Sequence, residues 1–273
     1  MTEQLNRSAS HPSSSNQPSG NQPSGNQPSD NQSSGNQPSD NQPSDNQPSN
    51  DQSMDNRRIG DPLSATTRTT PSPKNPVVLV HGIWNTAGIF SALKSHLEQA
   101  GWQVYALSMS PNNGDAPLES LAEQVKNFVN DCLGPYQPFD MVGFSMGGLV
   151  SRYYAQRLGG LARLHRFVTL SAPHQGTVLG AFSHRYGVRQ MKPGSDFLRS
   201  LNKDAHQLAS VQFFSFWTPF DLLILPPWSS QLGIGITQRL QVSAHNQMIR
   251  DRKALQAIEN ALSTPAPLPQ KSL

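Results

Sequence analysis

The sequence predicts an α/β fold, a mostly parallel sheet with helices on both faces, preceded by a disordered N-terminal arm. Three observations predict it. Short continuous apolar runs such as VVLV at 77–80 are bounded by proline or glycine, the mark of strands buried on both faces. Between them lie longer stretches with apolar residues three and four apart, the period of an amphipathic helix. The composition also changes abruptly near residue 75.

Before that break, residues 16–50 repeat a five-residue unit, NQPSG or NQPSD with small variations. The tract has no aliphatic or aromatic side chain, so nothing offsets the entropy lost on ordering its backbone. Residues 1–75 are expected to be a disordered arm, residues 76–263 one domain, and residues 264–273 a Pro-rich tail.

Each element of the domain has its own signal. The run 77–80 reads as a buried strand. Residues 86–100 follow with Ile89, Phe90, Leu93 and Leu97 at helical spacing, and Gly101 stands where a helix ends. Residues 102–109 return to strand character. Leu118, Leu121, Ala122, Val125, Phe128, Val129 and Cys132 trace one helix face, with Pro117 suited to its first turn. A strand is expected at 139–144. The helix after it should turn Leu149, Val150, Tyr153 and Leu158 inward and close at Gly159-Gly160. Residues 166–170 form another apolar strand, 178–210 are mixed and partly helical, and 211–217 is an aromatic strand. A last strand is expected at 239–242, and a final helix presents Ala254, Leu255, Ile258 and Leu262.

Residues 71–273 carry a net charge of +6. That suits an ordinary solvated surface or transient contact with an anionic membrane. No Lys/Arg run is dense enough for nucleic acid. The single cysteine, Cys132, excludes an intrachain disulfide and a CxxC metal site, and it is expected in the core. No cofactor and no metal are expected. MTEQLNRSAS at the N-terminus lacks the apolar segment of a secretory signal, so a cytoplasmic location is expected.

The chemistry concentrates in DMVGFSMGGLV. Gly143-Phe144-Ser145-Met146-Gly147 is G-x-S-x-G between a predicted strand and a predicted helix. A tight strand-to-helix turn crowds the positions two before and two after its serine, so both are glycine. One hydroxyl then projects at a helix N-terminus. It needs a base to take its proton. In this architecture the acid and then the histidine follow the serine along the chain. His245 lies between the last strand and the last helix, where the base's loop belongs, and Asp221 follows the aromatic strand. His174, His184 and His206, and the acids Asp196 and Asp204, are poorer placed; His174 reads as structural or as a wall of the cleft. Charge developing on a carbonyl oxygen needs preorganised donors. Met146 N–H is one candidate. Ile83 N–H is the other, in the loop His81-Gly82-Ile83-Trp84, where Gly82 admits close approach and His81 orients the turn.

Together VVLVHGIW, VGFSMGG, SAPHQGT and MKPGSDFL resemble the α/β-hydrolase fold, and within it the small bacterial triacylglycerol-lipase-like enzymes. The resemblance spans roughly residues 75–262. It implies a Ser145–Asp221–His245 triad, with Ile83 and Met146 lending backbone amides. The sequence departs from the common lipase pattern at AHNQM around the histidine and at LLILPP after the acid. Trp84, Leu222 to Leu225, Pro226, Pro227 and Trp228 are expected to rim an acyl cleft or to fill core, with few residues left for a large lid. The expected activity is hydrolysis of a carboxylic ester of a lipid or other small acyl substrate. Acyl transfer or thioester cleavage by the same triad is the near alternative. A catalytically silent scaffold is the alternative of another class.

Overall fold

Val77 and Leu79 face one side of the sheet, Val78 and Val80 the other, and all four are fully buried. A strand with no solvent face must have layers on both sides, and the computed structural model, which describes residues 74–265, has them. Six strands are all parallel: β1 (Val77–Val80), β2 (Val104–Leu107), β3 (Phe139–Phe144), β4 (Leu164–Leu170), β5 (Gln212–Trp217) and β6 (Ile236–Arg239), in the order β2-β1-β3-β4-β5-β6. On one face, α2 (Leu118–Leu133), α3 (Met146–Arg157) and α5 (Asp196–Lys203) pack on Val80, Met141, Phe167 and Phe213. On the other, α1 (Ser91–Gln99) and α6 (Arg252–Ser263) pack on Leu79, Val142, Phe144, Val168 and Phe216. A short α4 (Tyr186–Gln190) lies in the connection between β4 and β5. Each such buried aliphatic or aromatic side chain contributes about 1.5–3 kcal/mol.

The chain leaves β1 toward β2 and returns to β3 on the other side of β1. The loops leaving the carboxyl ends of β1 and β3 therefore diverge, and ligands of open α/β sheets bind at such a reversal.

Several sequence expectations shift. The last strand is Ile236–Arg239, not 239–242. All four of its residues are exposed, because it is an edge strand, so burial left no mark on its sequence. Leu240 and Val242 are apolar because they enter the core beside α6. The strand at 102–109 shortens to β2, and the 86–100 helix begins as a 3-10 turn, Ala87–Phe90. In α3 the buried tyrosine is Tyr154 rather than Tyr153; Ser151, Arg152 and Gln156 are buried too, so this helix has no simple polar face. Cys132 is half-buried at the end of α2 rather than in the core. The expected arm lies outside the described residues except for Lys74 and Asn75. Asn75 Nδ2 reaches Asp140 Oδ1 (3.2 Å) and His165 Nδ1 (3.0 Å). Of the expected Pro-rich tail only Thr264 and Pro265 are described.

Candidate active site

Three elements meet where β1 and β3 diverge. Ser145 links β3 to α3 with φ 56°, a left-handed value that a serine adopts only under strain, at about 1–3 kcal/mol. The glycines around it show why the turn needs them. A Cβ on Gly147 would stand 2.2 Å from Val80 O, and one on Gly143 2.7 Å from Gly148 Cα. Gly82 is the counterpart from the β1 loop: its Cβ would lie 2.8 Å from Ser145 Cβ. The backbones of both loops close on the serine, and no side chain fits between them.

His81 holds the first loop. Met109 N–H donates to its Nε2 (2.8 Å), so its Nδ1 carries the proton and donates to Gly82 O (2.8 Å). The ring is fully buried, which lowers its proton affinity and keeps it neutral. Trp84 N–H is committed to Asn112 O (2.8 Å), so it cannot serve the cavity. Ile83 lines the cavity, and Met146, first residue of α3, has no acceptor for its N–H within the helix. Ile83 therefore shares a cavity with Ser145, and Met146 follows Ser145 in the chain.

His245 opens a 3-10 turn, His245–Ile249, after β6, and its ring packs tilted on Phe144 at 4.8 Å between centroids. Its Nδ1 lies 2.7 Å from Asp221 Oδ2. An ionised carboxylate only accepts, so Nδ1 carries the proton and Nε2 is left with its lone pair free. Asp221 is held by its own loop: Leu223 N–H (3.0 Å) and Ile224 N–H (2.9 Å) both donate to Oδ1. Burial pushes this carboxyl up. The His245 bond, the Ile224 N–H and the nearby Ser171 hydroxyl outweigh it, and the net shift is downward. The apolar run after Asp221, which looked anomalous in the sequence, has two uses. Its backbone folds back on the carboxylate, and Leu223 and Ile224 wall the cavity.

Ser145 and His245 line one cavity of about 350 Å³. Among the described residues no hydrogen bond joins Ser145 Oγ to His245. Nucleophile–base contacts are commonly loose without substrate and tighten with it. Of the expected rim, Trp84, Leu223 and Ile224 line the cavity; Leu222, Leu225, Pro226, Pro227 and Trp228 do not. The connection between β4 and β5 supplies walls that the sequence did not mark: Thr177, Leu179, Val188 and Met191. Thr177 joins the two loops, donating to Leu223 O (3.0 Å) and accepting from Leu225 N–H (3.0 Å). A polar residue after the turn His174-Gln175-Gly176 carries no signal of this role.

His174 lies outside the cavity. Its Nδ1 faces the Arg152 guanidinium (3.3 Å) and its Nε2 faces Thr169 Oγ1 (3.0 Å), which itself donates to Phe214 O. Complete burial and Arg152 hold its proton affinity well below the ordinary value, so it is a neutral structural pin. His184 and His206 are exposed.

A family model described as palmitoyl protein thioesterase matches residues 76–221, from the start of β1 to Asp221. Palmitoyl-protein thioesterase 3 of Dictyostelium discoideum is 26% identical over 110 residues, 38% of each chain. A triacylglycerol lipase of Burkholderia plantarii is 27% identical over 129 residues, 44% of this chain and 36% of that one. The chain thus spans well under half the length of these curated relatives. Among solved structures, Aspergillus fumigatus lipase B superposes with a TM-score of 0.62 at 21% identity, covering 71% of this chain and 54% of that one. The mature Bacillus licheniformis lipase BlEst2 gives 0.57 at 15% identity, covering 71% and 94%. These likenesses show the α/β-hydrolase fold.

Proposed function

Since the chain belongs to the palmitoyl protein thioesterase family, we propose that it is a serine hydrolase that cleaves acyl esters through Ser145, His245 and Asp221. The observation that carries the reading is the 2.7 Å contact from His245 Nδ1 to Asp221, at the back of a cavity that His245 shares with Ser145. His245 Nε2 takes the Ser145 proton as Oγ attacks the acyl carbonyl carbon. Ile83 N–H and Met146 N–H receive the developing oxyanion. Asp221 fixes the tautomer and stabilises the imidazolium without taking the proton. Collapse expels the alcohol, protonated by His245, and leaves an acyl group on Ser145. Water, deprotonated by His245, then releases the acid.

The walls Ile83, Leu179, Val188, Met191 and Ile224 favour an acyl chain over a polar substituent. The family description favours a second substrate of the same class, a thioester, whose thiol leaves more readily than an alcohol. Exposed Phe182, Leu222 and Trp228 lie on the loops that follow β4 and β5 and support transient contact with a lipid surface. A silent scaffold is the poorer reading, because the base and acid are aligned and the serine is strained into the cavity.

A fluorophosphonate probe should label the protein but not Ser145→Ala. A p-nitrophenyl ester series of increasing chain length should show rising kcat/KM up to the chain that fills the cavity, and acyl-thioester turnover measured in parallel ranks the two leaving groups. Absence of labelling in the wild-type protein sinks the reading.

A further inference from the structure

Among the described residues only three other than glycine have positive φ: Trp84 (61°), Ser145 (56°) and Ser171 (46°). All three follow carboxyl ends of strands, and strain gathered in this way marks function more often than accident. Ser145 belongs to the proposed site and Trp84 lines the cavity. Ser171 has no role so far.

Its position is specific. Phe144 pairs in register with Leu170, and Leu170 with Phe216. Ser145 N–H donates to Leu170 O (2.9 Å) and Ser171 N–H to Phe216 O (2.8 Å). The strained serine of β4 therefore stands directly beside the strained serine of β3, on the side toward the strand whose exit loop holds Asp221. Ser171 is fully buried, yet its Oγ has no hydrogen-bond partner in the resting geometry. Buried hydroxyls rarely stay unpaired. Asp221 lies in the loop that leaves the neighbouring strand β5, and its carboxylate can accept. Asp221 Oδ1 is occupied by two backbone N–H groups, while Oδ2 has only His245.

We propose that Ser171 is a positioning residue: its hydroxyl donates to Asp221 and holds the carboxylate in line with His245 as the imidazolium forms. The inference rests on the serine-hydrolase reading above.

Two variants separate this role from a structural one. Ser171→Ala removes the hydroxyl and keeps the strain; Ser171→Gly removes both, because glycine adopts positive φ freely. In both, kcat for a p-nitrophenyl ester is expected to fall about tenfold with KM unchanged, the loss of one hydrogen bond to a charged group. In both, the acid limb of the pH–rate profile moves to higher pH, since a less solvated carboxylate holds the imidazolium longer. The rate of Ser145 labelling by fluorophosphonate should fall and shift with pH in parallel. Thermal melting shows that each variant is folded. If the wild type labels and Ser171→Gly matches it in rate and pH limb, Ser171 plays no part in positioning. If the wild type does not label, the serine-hydrolase reading fails and this inference falls with it.

Discussion

Asp221 and Asp140 are both buried, and they lie at opposite edges of the same sheet. Asp221 sits in the loop beyond the carboxyl end of β5, held by its own backbone amides and facing the His245 imidazole. Asp140 sits near the amino end of β3 and faces a full cation. Arg166 Nη1 donates to both its oxygens (3.0 and 3.2 Å), with Arg166 N–H and Asn75 Nδ2 completing the set. Arg166 Nε also reaches Thr264 O (2.7 Å), so the cluster joins the first and last described stretches of the domain. Charge pairing alone would make Asp140 the stronger acid of the two. The reverse holds. Burial pushes Asp140 up to about 6, and Arg166 and Asn75 only partly offset it, whereas Asp221 stays below its ordinary value. At Asp221 the hydrogen bond and charge of His245, aided by the Ile224 amide, outweigh burial; at Asp140 an ion pair whose partners both lose water does not. One edge uses its aspartate to stay charged; the other keeps its aspartate as a costly tie.

The largest test of this contrast is kinetic. Asp221→Asn should lower kcat by about 10⁴-fold, since an amide fixes the wrong tautomer of the histidine. Asp140→Asn should leave kcat/KM within about twofold. Steady-state ester hydrolysis decides, and comparable losses in both variants would erase the division between the edges.

The next effect is steric. Gly147→Ala at the site edge drives a Cβ to 2.2 Å from Val80 O and should cost about 3 kcal/mol or more of stability. Gly159→Ala has no atom within 4 Å of the new Cβ and meets only the strain of φ 85°, about 1 kcal/mol. Urea unfolding of the pair would show whether close packing is confined to the elbow.

Stability against pH sharpens the comparison of the two carboxyls. Asp140 has a folded value raised from 3.8 to about 6, so the folded chain holds that proton better than the unfolded one. Its contribution is present at low pH and is lost as pH rises through that window, about 3 kcal/mol in all. Asp221 has the opposite sign: its contribution is present above the ordinary carboxylate value and is lost as pH falls through its depressed folded value. Asp140→Asn should therefore flatten the decline between pH 4 and 6 in urea titrations, and Asp221→Asn the decline at lower pH. An unchanged slope in Asp140→Asn would mean that Arg166 fully offsets burial.

The smallest effect concerns the platform under the base. Phe144→Leu removes the ring that packs on His245 at 4.8 Å and should reduce kcat several-fold, with KM unchanged.

Much of the molecule was readable before its structure. Parallel strands buried on both faces write continuous apolar runs, and helices with one covered side write a 3.6-residue period; both are local. The elbow was legible for the same reason, because the steric demand on Gly143 and Gly147 falls within two residues of Ser145. The edge strand β6 was misplaced since it buries nothing. Tyr153 and Tyr154 were exchanged because α3 is covered on several sides, which removes the contrast that periodicity needs.

Local sequence determined the order of strands and helices, the strained serine turn, and a short set of acids and bases standing after strands. Tertiary structure decided which of them meet. Asp221 and His245 are 24 residues apart and touch only because β5 and β6 end side by side. His174 was withdrawn from the cavity by Arg152, a buried guanidinium that nothing in the sequence pairs with it. Thr177 became a wall through the fold of the connection between β4 and β5, and strand register set Ser171 beside Ser145. Periodicity reports how a residue meets its own element. Contacts between loops depend on sheet order and close approach, which no short stretch of chain encodes.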